Sequence, residues 1–162
     1  MSTILLIIHA LSGTVGILFG FATLLVEKAT RQHMTLGTVF VVAMLLLGLS
    51  GSMVAYSRSI SLSLINGLLL CYLIGSSWLT MNAKHGKPQL IEKVMSIIPL
   101  GLCLSLVHFA QVAAASPSGK LDDFSAPVFY FFALVAAISF LLDMVYFIKG
   151  GYKGHQKTVR HL

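Results

Sequence analysis

The sequence predicts an all-α integral membrane protein, a helical bundle with five transmembrane spans. Hydrophobic residues make up 57% of the 162 residues and charged residues only 10%, whereas a soluble domain keeps about a quarter of its residues charged. The apolar residues fall into five runs, and each run is close to the roughly 20 residues that cross a bilayer as a helix. Composition therefore excludes an ordinary soluble domain.

Polar segments mark the limits of the five predicted spans. The spans cover residues 3–26, 34–56, 60–81, 94–115 and 126–148. The first run is retained as a span because no basic residue precedes it and because it is longer than the apolar part of a signal peptide. We predict a single transmembrane domain over residues 1–148, followed by a basic tail over residues 149–162.

The connections and the prolines set the course of the spans. Short connections predict that the first three spans are antiparallel neighbours. Pro99 lies inside the fourth span and predicts a kink there, since proline removes a backbone hydrogen bond. Pro117 and Pro127 limit the helices on either side of the segment SPSGKLDDFSAP,. The fourth and fifth spans are therefore expected to be joined by the longest external loop.

The net charge of +6 is distributed unevenly among the connecting segments. Only Arg58 and Lys120 lie in the segments after the second and fourth spans. The other basic residues follow the first, third and fifth spans: Lys28, Arg31, Lys84, Lys87, Lys93, Lys149, Lys153, Lys157 and Arg160. The positive-inside rule then places the N-terminus outside and the C-terminus in the cytoplasm of a plasma (inner) membrane. Membrane orientation explains this charge without nucleic acid, and the expected partner is membrane lipid.

A histidine and three glycines share one face of the first span. In the segment IIHALSGTVGILFG, Gly13, Gly16 and Gly20 follow His9 at spacings of four, seven and eleven residues, which places all four on the same side of a helix. An intramembrane histidine is costly and is by default a functional candidate. Glycines in this pattern also allow a second helix to approach closely. The face predicts a ligand site, a close helix contact, or both.

A second histidine is predicted at nearly the same depth in the membrane. At about 1.5 Å per residue, His9 lies about 8 Å outward of the centre of the first span, and His108 lies roughly 6 Å outward of the centre of the fourth. Gly101 precedes His108 by seven residues and shares its face. Two imidazoles from different helices are thus expected in the same half of the membrane, each beside small residues.

Three interpretations of His9 and His108 are open. The rings can hydrogen-bond neighbouring helices and only stabilise the bundle. They can ligate a metal ion, although no carboxylate or cysteine is expected at that depth to complete a tetrahedron. They can also be the two axial ligands of a haem b, a role that suits neutral imidazole. The glycines that leave room for the porphyrin in this third interpretation are Gly13, Gly16, Gly20 and Gly101.

Further polar residues lie toward the predicted cytoplasmic side. A second haem between His33 and His155 would complete an electron path across the membrane, whereas interfacial histidines beside basic residues commonly meet only water and phosphate. Asp143 is the only carboxylate inside a predicted span. A carboxylate at this depth is usually paired, so Asp143 predicts an ion pair, for example with Lys149, or a proton relay that serves a quinone.

The first two spans resemble a family of predicted bacterial multi-span membrane proteins of unknown function. The shared pattern is H-x-x-x-G in the first span, carried by His9 and Gly13, and again at the start of the second, carried by His33 and Gly37. Met44 also matches, and the terminal GHQKTVRHL is similar to a segment that opens a further span in that family. The resemblance implies the multi-span fold and a role for both histidines, without a reaction. It also implies either a short member or further sequence after this chain.

The function expected from these patterns is electron transfer by a cytochrome-like membrane protein or subunit. The architecture is loosely similar to membrane b-type di-haem cytochromes, and an enzymatic role, left open here, would be that of an oxidoreductase-type subunit. One alternative is a non-catalytic scaffold or accessory subunit of a larger membrane complex. Another is a small proton or metal-ion transporter, for which one internal carboxylate in five spans favours a homo-oligomer or additional subunits.

Overall fold

The computed structural model describes residues 3–28, 30–82 and 90–150. Six α-helices and one short β-hairpin account for most of these residues. The helices are α1 (Thr3–Leu25), α2 (Arg31–Ser57), α3 (Ser61–Asn82), α4 (Leu90–Met95), α5 (Ile97–Ala115) and α6 (Ala126–Ile148). Strands β1 (Lys120–Leu121) and β2 (Phe124–Ser125) pair antiparallel between α5 and α6.

Five helical stretches in the described residues are long and apolar enough to cross a membrane. They are α1, α2, α3, the α4–α5 pair taken together, and α6. The all-α class and the five predicted spans are thereby confirmed at the level of length and composition, while the orientation in the membrane stays a prediction. Most of the large apolar side chains on these helices are exposed at the protein surface, as contact with lipid requires,.

The chain divides into two compact units between Ile74 and Gly75. The first unit contains α1, α2 and the first part of α3. The second contains the rest of α3 together with α4, α5, the hairpin and α6. Each unit has its own packing and is described separately.

In the first unit, α1 and α2 pack through glycines on α1 and large side chains on α2. A methyl group added at Gly16 would lie 2.8 Å from Met44 Sδ, and one added at Gly20 would lie 3.1 Å from a Phe40 ring carbon. Gly13 faces Leu47 in the same way, at 3.4 Å. Glycines closer to the C-terminus of α1 contact residues closer to the N-terminus of α2. The two helices therefore run antiparallel in a fixed register.

The α2–α3 contact in the first unit is closer still, because backbone meets backbone. A methyl group added at Gly48 would lie 2.8 Å from the carbonyl oxygen of Gly67, and one added at Gly67 would lie 2.7 Å from the carbonyl oxygen of Gly48. Two side chains of this contact also bond across it. Ser52 Oγ donates to the carbonyl of Leu64 at 3.2 Å, and Cys71 Sγ donates to the carbonyl of Leu45 at 3.7 Å.

In the second unit, the candidate membrane span Leu90–Ala115 is interrupted at Ser96. Helix α4 ends at Met95, four residues before Pro99, and α5 begins at Ile97, two residues before it. A proline has no N–H and its ring crowds the carbonyl four residues earlier, which here belongs to Met95. The interruption agrees with the expected kink. Because α4 extends the helix back to Leu90, Glu92 lies on a helix rather than in a loop.

Helices α5 and α6 of the second unit pack as an antiparallel pair around small residues. Phe109 and Phe129 meet across the pair with ring centroids 6.4 Å apart. The fully buried side chains here include Leu106, Ala110, Ala113, Phe129 and Ala136. Alanine at these positions lets the two helices approach, so that the phenylalanine rings fill the remaining space.

The hairpin between α5 and α6 turns through two aspartates. Asp122 and Asp123 adopt left-handed backbone angles, with φ of 51° and 68°, as a two-residue hairpin turn requires. Ser116 anchors the hairpin to the end of α5. Its Oγ accepts from the Lys120 N–H at 2.9 Å and donates to the Lys120 carbonyl at 2.7 Å. The link between the two helices is therefore an ordered structure.

Gly48→Ala is expected to destabilise the first unit, because its methyl group would meet the Gly67 carbonyl and the α2–α3 contact would have to open. Overpacking of this kind costs about 1–3 kcal/mol. Gly37→Ala is the matched control, since Gly37 also lies on α2 and has nothing within 4 Å of the added methyl group. Thermal unfolding in detergent micelles compares the two variants. Equal stability of both with the wild type would contradict the contact.

Candidate functional site

His9 is fixed between α1 and α2 within the first unit. Its Nδ1 lies 3.2 Å from the carbonyl oxygen of Leu47 and 3.3 Å from Ser50 Oγ. Its ring lies against Gly51, where an added methyl group would be 3.0 Å from the His9 Cε1 atom. No described residue forms a hydrogen bond with Nε2 of this ring. Nδ1 is thus engaged with α2, whereas Nε2 has no hydrogen bond within the described residues.

The glycines below His9 have a structural explanation in the first unit. The space beside Gly13, Gly16 and Gly20 is occupied by side chains of α2, as described above. His9 and Gly51 continue the same row of contacts with the roles exchanged, since here the large side chain belongs to α1 and the glycine to α2. Within this unit, the face predicted to leave room for a porphyrin is therefore filled below the histidine.

His108 in the second unit presents an imidazole at the protein surface. The side chain is exposed on α5, and its ring packs on that of Phe109 with centroids 5.6 Å apart. Among the described residues of this unit, none donates to or accepts from either ring nitrogen. Gly101, two turns earlier, has nothing within 4 Å of an added methyl group. This face of α5 offers an uncommitted ring and open space beside it.

The two predicted ligands of the outer haem lie in different units. His9 belongs to the first unit and His108 to the second. Of the predicted inner pair, His33 lies in the first turn of α2, where Thr30 caps the helix by accepting from the His33 N–H at 3.2 Å. The Nδ1 atom of His33 is buried without a described hydrogen-bond partner. His155 lies outside the described residues.

A cluster of polar side chains is buried in the second unit, and Glu92 is its centre. Glu92 is 7% exposed, although glutamate is almost never buried unless it is paired. Tyr146 Oη donates to its two carboxylate oxygens at 3.1 and 3.2 Å. Thr80 Oγ1 lies 3.3 Å from the Glu92 Oε1 atom and 2.9 Å from the carbonyl of Ser76. The cluster connects α3, α4 and α6.

Asp143 belongs to the same cluster. It is 4% exposed and lies one turn before Tyr146 on α6. A small cavity, of about the size of one water molecule, is lined by both carboxylates and by hydroxyl-bearing side chains: Ser76, Thr80, Glu92, Asp143 and Tyr146,. Asp143 therefore shares its surroundings with a second carboxylate, a neighbour that was not predicted from the sequence.

Glu92, Tyr146 and Ser50 were not predicted as site residues. Glu92 lies in the polar stretch KPQLIEK, which carries no hydropathy signal for a helix, and Tyr146 lies near the end of a predicted span, where aromatic residues are common as interfacial anchors. The two residues are 54 positions apart, so no local pattern connects them. The available signal was helical spacing, since Asp143 and Tyr146 at i and i+3 share one face of the last span.

Known proteins provide no match to this chain: no family model matches it, and the comparisons with curated proteins and with solved structures also find no significant similarity. The resemblance of His9, Gly13, His33 and Gly37 to a membrane protein family therefore stays a prediction. Within the described residues, no group of three or more histidine, cysteine, aspartate or glutamate side chains is placed to hold a metal ion.

Tyr146→Phe is expected to destabilise the second unit by about 1–3 kcal/mol, because the buried Glu92 carboxylate loses a hydrogen-bond donor. Tyr130→Phe on the same helix is the matched control, since Tyr130 is 46% exposed, and a change of less than about 0.5 kcal/mol is expected there. Unfolding in detergent followed by circular dichroism measures both. A Tyr146→Phe variant as stable as the control would show that the buried bond contributes nothing.

Proposed function

We propose that the protein is a multi-pass membrane electron-transfer protein in which His9 and His108 are axial ligands of a haem b. The observation that carries the proposal is the hydrogen bonding of the His9 ring. One of its nitrogens is engaged with α2, while the other forms no hydrogen bond with a described residue. Histidine ligands of metals characteristically have their second nitrogen bonded to a carbonyl or similar acceptor.

His108 supports the proposal because its ring has no hydrogen-bond partner among the described residues of its unit, which is unfavourable inside a membrane span. An imidazole inside a membrane span that bonds to nothing loses several kcal/mol relative to water, which makes a polar or metal partner expected. Gly101 leaves the neighbouring face of α5 open, so a large flat group can approach this ring. Iron held by two neutral imidazoles changes between the ferric and ferrous states and so carries one electron.

The glycines of α1 are assigned a different role. Because Gly13, Gly16 and Gly20 face filled space within the first unit, we assign them to helix packing. In this proposal α1 supplies a fixed ligand, and the open face needed beside a porphyrin comes from α5. The chain's own contribution is to hold the His9 ring in one orientation through its contacts with α2.

The absorbance spectrum of the protein extracted from haem-sufficient cells tests this function. A Soret band and resolved visible bands on reduction are expected from ligation by two histidines. His9→Ala and His108→Ala should each remove the outer haem, whereas His33→Ala should leave it in place. A colourless preparation of intact protein would refute haem binding and would leave the interpretation of a scaffold or accessory subunit, in which His9 only joins α1 to α2.

Proton transfer is a second candidate function, favoured by the cluster around Glu92. Two carboxylates buried in one small cavity cannot both be charged without a large electrostatic cost unless other groups compensate. Glu92 and Asp143, which line this cavity together with hydroxyl-bearing side chains, are therefore suited to exchange a proton. They lie near the ends of α6 and of the α4–α5 span, the side that is predicted to be cytoplasmic.

Asp143→Asn and Glu92→Gln are expected to abolish proton uptake into proteoliposomes, because each removes a group that can gain and lose a proton. An internal pH-sensitive dye under an imposed membrane potential measures the flux. Asp123→Asn is the control, since Asp123 is exposed in the hairpin turn outside the spans. Uptake that is absent from the wild type, or that persists in both cluster variants, would rule out this function.

A further inference from the structure

The hydrogen bonds around His9 determine which of its ring nitrogens carries the proton. Two oxygen atoms face Nδ1, the carbonyl of Leu47 at 3.2 Å and Ser50 Oγ at 3.3 Å. The carbonyl can only accept a hydrogen bond. The role of the ring nitrogen therefore depends on whether the Ser50 hydroxyl has its own proton available to donate.

The Ser50 proton is already committed to its own helix. Ser50 Oγ lies 2.6 Å from the carbonyl of Leu46 and 3.2 Å from that of Leu47. A hydroxyl has one proton, and the shorter of these distances is that of a strong O–H···O bond. With the proton donated to Leu46, the Ser50 oxygen presents only lone pairs to the His9 ring.

We infer that Ser50, together with the Leu47 carbonyl, is a positioning residue that holds His9 as the Nδ1–H tautomer. If Nδ1 lacked a proton, its lone pair would face the lone pairs of two acceptor oxygens, and neither contact would be a hydrogen bond. With the proton on Nδ1, both contacts are satisfied. Neutral imidazole in water prefers the opposite, Nε2–H form, so the two α2 groups reverse the ordinary preference.

Gly51 completes the positioning of the ring. The His9 Cε1 and Nδ1 atoms would be 3.0 and 3.3 Å from a methyl group at this position, closer than ordinary contacts allow. A side chain at residue 51 would therefore move the ring away from both acceptors. The three groups that position His9 lie on one face of α2, at residues 47, 50 and 51.

The consequence is that Nε2 of His9 carries a free lone pair directed by a fixed ring. Such a nitrogen is a ligand for iron or another transition metal, or an acceptor for a hydrogen-bond donor, and it cannot act as a donor. The identity of the ligand as haem iron rests on the proposed function. The tautomer and its dependence on Ser50 do not.

Nitrogen NMR of the full chain in lipid nanodiscs tests the inference directly. The protein is labelled with ¹⁵N-histidine and produced in haem-deficient cells, so that the ring is observed without iron, and the His9 signals are assigned by their loss in His9→Gln. At a pH where the ring is neutral, Nδ1 should give the protonated, pyrrole-type resonance and Nε2 the unprotonated, pyridine-type resonance. His108 is the internal reference, expected to show mainly the Nε2–H form.

Three variants and one control variant separate positioning from simple packing. Ser50→Ala should raise the Nε2–H population of His9 several-fold, Ser50→Thr should restore the wild-type spectrum, and Gly51→Ala should shift the His9 resonances while Gly37→Ala does not. A wild-type His9 that is mainly Nε2–H, or a Ser50→Ala spectrum identical to the wild type, would overturn the inference. A correct tautomer in a protein that never binds haem would refute the proposed function alone.

Discussion

The close approach of α2 to its two neighbours is the constraint on which the first unit depends. On one side its Phe40, Met44 and Leu47 side chains occupy the spaces left by the glycines of α1, and on the other its Gly48 backbone touches that of α3. In lipid, where apolar burial gives no advantage to one helix contact over another, such packing and a few interhelical hydrogen bonds determine how helices associate. Helix α2 therefore fixes the register of α1, and with it the position of His9.

The two polar features of the protein follow from different physical requirements. His9 bonds to a backbone carbonyl and to a serine whose proton is used within its own helix, so it needs no charged neighbour. Glu92 is buried with a tyrosine and a threonine at its carboxylate and a second carboxylate nearby. The first arrangement supports the proposed role of a neutral ligand, and the second supports the proposed exchange of protons. The residues of each arrangement lie within one unit.

The sequence predicted the spans well because hydropathy is a local property. The fifth predicted span and α6 coincide, α1 ends one residue before its prediction, and α3 is shifted by one residue at both ends. Helix α2 begins three residues early because Thr30 caps it through a polar first turn. What fills the face beside Gly16 could not be predicted, since it depends on the register with Met44. For the same reason the neighbours of Asp143 were missed, because Glu92 joins it only through the folded chain.

The exchange of roles between His9 and Gly51 has a consequence for how this chain can change over evolutionary time. A bulky residue on α1 is tolerated at that level only because α2 carries no side chain opposite it. Homologous chains are therefore expected to vary at residues 9 and 51 in a correlated way, with histidine accompanied by glycine or another very small residue. A homologue without the histidine at residue 9 can carry a larger residue at position 51. A larger residue at position 51 therefore indicates that the histidine no longer has this role.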